Sequence, residues 1–152
     1  QVSFKAEIVV NDERETLERD DIRSRKILNF GHTVGHALEK ITNYKYFKHG
    51  EAVGYGILVA GEIAKNVANF DQNELNLLNG VVNLTGNLPN CQDIKAENVI
   101  EAFAFDKKNV GDSLQWILLE NIGKPKIVMN KDISPAIISE AVEKVLKTHS
   151  TS

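Results

Sequence analysis

The stretch from Gly50 to Ala68 constrains the fold most. It reads as a helix that is apolar nearly all round, carrying Val53, Tyr55, Ile57, Leu58, Val59, Ile63, Ala64 and Val67. A helix with no polar side has nothing to offer solvent and is buried between other helices. The chain is therefore expected to be assembled around this segment as its central element. The same segment argues against a membrane span, since the longest uncharged apolar run, Ala52 to Gly61, is too short to cross a bilayer.

Other elements follow from pattern and punctuation. Residues 21 to 41 contain no proline and follow Asp20 and Asp21, either of which suits an N-cap, so one helix is expected there. Before it, Glu7 to Val10 reads as a short apolar strand or helix start, and Asn11 to Asp21 as a charge-dense connection. Glu74 to Leu84 forms a helix with Leu75, Leu77, Leu78, Val81 and Val82, broken by Gly86 to Asp93 with its Pro89. Ala96 to Phe105 is helical, ending near Asp106-Lys107-Lys108-Asn109. Leu114 to Leu119 and Lys126 to Met129, separated by Asn121-Ile122-Gly123-Lys124-Pro125, read as two strands of a hairpin-like excursion. Ser134 caps a last helix with Pro135 at its first position, running to about Thr148 with Ile137, Ile138, Val142, Val145 and Leu146 inward. Thr148 to Ser152 is expected to fray. With no internal repeat or low-complexity linker, residues 1 to 152 read as one mainly α, multi-helix domain with a small two-stranded excursion.

Composition narrows the function classes. A chain of 152 residues that is 42% hydrophobic and 26% charged suits a soluble domain with a sizeable core. Its net charge of -3 gives no bulk attraction to nucleic acid or an anionic membrane, so any phosphate must be held locally. The single cysteine, Cys91, reads as a small loop residue that can form no internal disulfide. With no secretory signal read, this fits a reducing, cytoplasmic location.

Three of the four histidines fall in one short stretch, within Leu28-Asn29-Phe30-Gly31-His32-Thr33-Val34-Gly35-His36-Ala37 and His49-Gly50-Glu51-Ala52-Val53. On a helix at about 100° per residue, Arg25, Asn29, His32 and His36 share a wedge of roughly 60°. Ile27, Phe30, Val34, Ala37, Leu38 and Ile41 lie opposite, so the polar face carries ligand-type groups rather than a solvated Lys/Glu mixture. Gly31 and Gly35 each cost a helix on the order of 1 kcal/mol relative to alanine. Such a cost suggests a close approach to the backbone by a substrate, a metal or a neighbouring helix. A metal suits the histidines, because imidazoles one turn apart can share an ion while a loop ligand such as His49 completes the set. Spacing alone allows all three as ligands.

Together with Lys5-Ala6-Glu7-Ile8-Val9-Val10, Asp12-Glu13-Arg14-Glu15, Arg25 and Asp106-Lys107-Lys108, these motifs resemble 3-dehydroquinate synthase of the shikimate pathway. The resemblance runs from Lys5 to about Met129 and matches only the carboxy-terminal, helical half of that enzyme. It departs from the family between Glu15 and Arg25, where a longer charged segment replaces the usual short glycine-containing turn. It also accounts for the lack of a Gly-x-Gly-x-x-Gly element, because the family's amino-terminal half contributes most of the NAD site and one glutamate metal ligand.

The resemblance implies conversion of 3-deoxy-arabino-heptulosonate 7-phosphate to 3-dehydroquinate and phosphate. Transient oxidation by NAD, loss of phosphate, reduction and an intramolecular aldol closure make up that reaction, with zinc or cobalt as the metal and a homodimer as the full enzyme. It implies His32 and His49 as metal ligands, His36 as the proton-handling catalytic residue, and Lys5, Arg25, Asn29 and Lys108 as substrate contacts. Lys108 is matched to the phosphate, with Lys107 the near alternative, and the Arg25 guanidinium fork suits a carboxylate. Partners implied are the phosphorylated keto acid and an amino-terminal NAD-binding domain, without which the chain is expected to be inactive. Competing readings are another sugar phosphate cyclase, whose substrates lack the carboxylate; a non-catalytic zinc-stabilised helical domain; and an iron or zinc alcohol dehydrogenase, which has no use for a phosphate lysine.

Overall fold

The computed structural model describes residues 25–110 and 114–150. Along the chain lie α1 (His32–Ile41), α2 (His49–Val67), α3 (Gln72–Thr85), α4 (Ala96–Val110), β1 (Gln115–Asn121), β2 (Lys124–Met129) and α5 (Pro135–Thr148), with 3-10 turns at Arg25–Asn29 and Asn130–Asp132. The architecture is mainly α with one two-stranded antiparallel sheet. Among the described residues no helix is long and apolar enough to cross a membrane.

The apolar helix is central, as its sequence demands. Helix α2 packs against α1, α3, α5 and β1, and buries Ala52, Tyr55, Leu58, Val59, Ile63 and Ala64. Helix α5 starts where Ser134 and Pro135 place it and buries Ile138, Val142, Val145 and Leu146, although the Ser134 side chain makes no capping bond. Helix α4 continues past Phe105 to Val110. The tail expected to fray from Thr148 is held as far as Ser150, whose hydroxyl donates to the Leu146 carbonyl at 2.6 Å.

The single helix expected over 21 to 41 is corrected. Arg25–Asn29 is a 3-10 turn, Gly31 adopts a left-handed φ of 80°, and α1 begins only at His32. The physical reason is α2. A Cβ on Gly31 would lie 2.7 Å from the Val53 carbonyl oxygen, one on Gly35 would lie 3.2 Å from the Val53 backbone, and one on Gly56 would fall 1.7 Å from the Gly31 carbonyl oxygen. Backbone therefore meets backbone along the α1–α2 seam, and glycine alone among residues takes the left-handed step freely. The close neighbour that Gly31 and Gly35 require is a helix. The candidate caps Asp20 and Asp21, the Glu7 to Val10 element and the charged connection lie outside the described residues.

The hairpin is less of an excursion than its sequence suggests. Trp116 and Leu118 of β1 join the main core, while Ile117 packs with Ile27 under Leu28, Phe30 and Ile127. The Arg25–Asn29 turn thus sits on the sheet, and Thr33 adds a bond from its hydroxyl to the Gln115 carbonyl at 3.4 Å. This clamps the start of α1, and with it His32.

Candidate metal and substrate site

Helices α1 and α2 lie side by side and antiparallel, with Gly35 opposite Ala52 and Val53 and Gly31 opposite Val53 and Ile57. The chain reverses through left-handed Asn43 and Tyr44, and buried Phe47, edge-on to Tyr55 at 5.7 Å between ring centres, anchors the return. Lys48 donates its backbone N–H to Glu51 at 2.8 Å, starting α2 at His49. As a result three imidazoles converge. Ring centres are 5.2 Å apart for His32 and His49, 5.4 Å for His32 and His36, and 5.9 Å for His36 and His49.

Each ring is tethered through Nδ1. His32 Nδ1 bonds the Phe30 carbonyl at 3.2 Å. His36 Nδ1 meets one carboxylate oxygen of Glu39 at 3.2 Å, and His49 Nδ1 meets the other at 3.1 Å. Glu39 is nearly enclosed, its side chain 10% exposed, whereas His36 and His49 are each 57% exposed. Among the described residues no hydrogen bond engages Nε2 of any of the three. Burial lowers the pKa of His32, partly opposed by the backbone bonds to Phe30 and Asn29 and reinforced by His36 and His49. That favours the neutral imidazole, which is the form that binds metals.

The donor set fits a metal in part. With metal–nitrogen lengths of about 2.1 Å, two imidazoles sharing a tetrahedral ion have ring centres on the order of 5 Å apart, the separation found both for His32 with His49 and for His32 with His36. No set of three or more His, Cys, Asp or Glu side chains among the described residues is arranged to hold an ion. The cluster therefore offers ligands to a metal without completing its shell.

Of the other residues marked in the sequence, Asn29 is exposed at the end of the 3-10 turn preceding His32. Arg25 opens that turn, and Lys107 and Lys108 fall in the last turns of α4, the helix that packs against α1. The side chains of these three, and the whole of Lys5, lie outside the described residues. Glu39 was missed by the sequence reading. Its signal was present, since it stands three residues after His36 and seven after His32, on the same helical face.

Comparison with known proteins gives a consistent picture. The 3-dehydroquinate synthase C-terminal family matches residues 1–109. The 3-dehydroquinate synthase of Thermoanaerobacter pseudethanolicus is 35% identical over 144 residues, covering 95% of this chain and 37% of that protein. The Methylacidiphilum infernorum enzyme is 37% identical over 145 residues, covering 95% and 38%, and the Nostoc enzyme 42% over 122 residues, covering 78% and 31%. The chain thus spans about a third of the length of these relatives. Among solved structures, a 2-deoxy-scyllo-inosose synthase complexed with carbaglucose-6-phosphate, NAD+ and Co2+ shares the fold, with TM-score 0.59 and 24% identity over 76% of this chain and 32% of that one. A second structure of a 2-deoxy-scyllo-inosose synthase gives TM-score 0.57 and 26% identity, covering 76% and 31%.

Proposed function

We propose, from the premise that this chain belongs to the 3-dehydroquinate synthase C-terminal family, that it is the metal- and substrate-holding part of an enzyme converting 3-deoxy-arabino-heptulosonate 7-phosphate to 3-dehydroquinate and phosphate. The observation that carries this reading is the convergence of His32, His36 and His49, with every Nδ1 already tethered. In this reading His32 and His49 hold a zinc or cobalt ion and a glutamate from elsewhere in the enzyme completes the site. The ion would supply Lewis acidity to the hydroxyl undergoing oxidation, and NAD would serve as the hydride carrier. In this reading NAD is held by the part of the relatives that this chain does not span, and the sheet among the described residues is an antiparallel hairpin rather than a strand–glycine–helix cradle for a dinucleotide.

The chain's own residues bind and orient. His36 lies one turn beyond His32 and is 57% exposed, and in this reading it moves a proton at the substrate rather than adding a ligand. Arg25 and Asn29, at the two ends of the turn clamped on the sheet, take the carboxylate and a neighbouring hydroxyl. Lys108, with Lys107 beside it, takes the phosphate, and Lys5 adds a further substrate contact. The full enzyme is a cytoplasmic homodimer in this account.

The test is phosphate release from the heptulosonate phosphate. The pure chain with NAD and zinc is expected to release none. The same chain supplied with the NAD-binding portion of a relative is expected to turn over. Within that completed enzyme, Lys108→Ala should weaken phosphonate-bearing analogues far more than analogues lacking the phosphonate, by about 2 to 5 kcal/mol if the pair is buried. Release by the chain alone, or none by the completed enzyme, would overturn the proposal.

A further inference from the structure

We infer that Glu39 is the positioning residue of the histidine cluster, fixing the tautomer and orientation of His36 and His49 at once. This rests on the reading above only for what the exposed nitrogens bind. One carboxylate serves two imidazoles from different helices: Oε2 accepts from His36 at 3.2 Å within α1, and Oε1 accepts from His49 at 3.1 Å across the seam to α2. Glu39 is 8% exposed, one of three buried charged side chains among the described residues. Of the other two, Glu62 is paired with Lys144 at 2.8 Å, whereas the side chains that meet the Glu39 carboxylate at hydrogen-bond distance among the described residues include these two imidazoles from different helices. A carboxylate has only acceptor oxygens to offer, so both imidazoles must carry a proton on Nδ1 and, when neutral, present an unprotonated Nε2 lone pair. Such a carboxylate–imidazole bond sets ring orientation and raises ligand basicity. Because a single side chain holds both rings, it also fixes the spacing between the group proposed to bind metal and the group proposed to move a proton.

The experiment is 15N NMR of the histidine side chains in the intact chain, at a pH where the imidazoles are neutral. His149 serves as internal reference, since its Nδ1 is held by the Val145 carbonyl at 2.9 Å. The wild-type spectrum should show the Nδ1–H tautomer at both His36 and His49, and an Nε2–H tautomer at either overturns the inference. Glu39→Gln, an isosteric change, offers one acceptor and one donor. It should therefore switch one of the two rings to Nε2–H while His149 stays unchanged. Unaltered tautomers in a folded Glu39→Gln chain also overturn the inference. Zn2+ titration of the same samples separates the two readings. A wild-type chain that binds no Zn2+ yet shows both Nδ1–H tautomers still supports Glu39, and the metal assignment is then decided in enzyme completed with its missing glutamate ligand. Where the wild type binds, Glu39→Gln should lower Zn2+ affinity about 10- to 100-fold, and undiminished affinity overturns the positioning role.

Discussion

The chain uses histidine in two settings that differ in which nitrogens are left over. At the joint between α2, α5 and the loop around Pro89, His149 places Nδ1 on the Val145 carbonyl at 2.9 Å and Nε2 on the Asn83 side-chain amide at 3.0 Å, with its ring edge-on to Tyr55. Tyr55 donates its hydroxyl to the Pro89 carbonyl, and the buried Cys91 sends its N–H to the His149 carbonyl at 3.0 Å. Both imidazole nitrogens are engaged there. At the α1–α2 seam, among the described residues, the three histidines spend only Nδ1. Both regions are well ordered by packing and hydrogen bonds, so order alone does not mark a site. A nitrogen left over among the described residues does.

The difference can be broken most severely from behind, through the glycines that let α1 and α2 touch. Gly56→Ala would push a Cβ to 1.7 Å from the Gly31 carbonyl oxygen, a backbone-to-backbone clash with no side chain able to yield. We expect a loss exceeding about 3 kcal/mol, beyond ordinary overpacking, seen as a collapse of the thermal transition by circular dichroism. A Tm within about 2 °C of wild type would mean the seam is not as close as described.

A smaller effect is expected at the inward-closed joint. Tyr55→Phe leaves the Pro89 carbonyl with only the weak Cys91 thiol donor at 3.9 Å and should cost about 1 to 3 kcal/mol of stability, read from denaturant unfolding, while leaving Zn2+ affinity unchanged. Loss of Zn2+ binding along with stability would show that the two regions are not independent. Burial pushes the Cys91 thiol up, so less of it is thiolate at neutral pH. Alkylation of the folded chain should therefore be slow and should accelerate as pH rises, with unfolding abolishing the protection. Rapid labelling of the native chain at neutral pH would contradict the closed joint.

The smallest expected effect has the opposite sign. Gly80 sits in α3 with open space where a Cβ would go, so Gly80→Ala should stabilise the chain by about 0.5 to 1 kcal/mol through helix propensity and a more restricted unfolded chain. Destabilisation would show that α3 also presses against a neighbour. Its outer face carries exposed Leu77, Val81 and Leu84.

These glycines also show how far the sequence could be read. Residues with strong periodic signals were legible: α2 follows from an all-round apolar pattern, and α5 from Ser134-Pro135. Gly31 and Gly35 announced a close approach, but the partner backbone and Gly56 depend on which helices pair, which no local pattern encodes. The same pairing hid the break at Gly31, since a wedge drawn on a continuous helix assumed the chain never stepped out of it. The histidine cluster was legible because His32 and His36 are a turn apart and His49 sits at a helix start. Glu39 was not recognised because its role spans α1 and α2 and requires knowing that His49 returns beside it.

In the proposed enzyme the converging histidines divide their labour, two holding a metal and one moving a proton. Metal content of three single variants, measured in enzyme completed with its NAD-binding portion, tests this most directly. His32→Ala and His49→Ala should lose metal and activity together, whereas His36→Ala should keep about one metal per site while turnover falls roughly 100- to 10,000-fold. A metal-free His36→Ala protein would contradict the account and make the cluster a three-histidine centre.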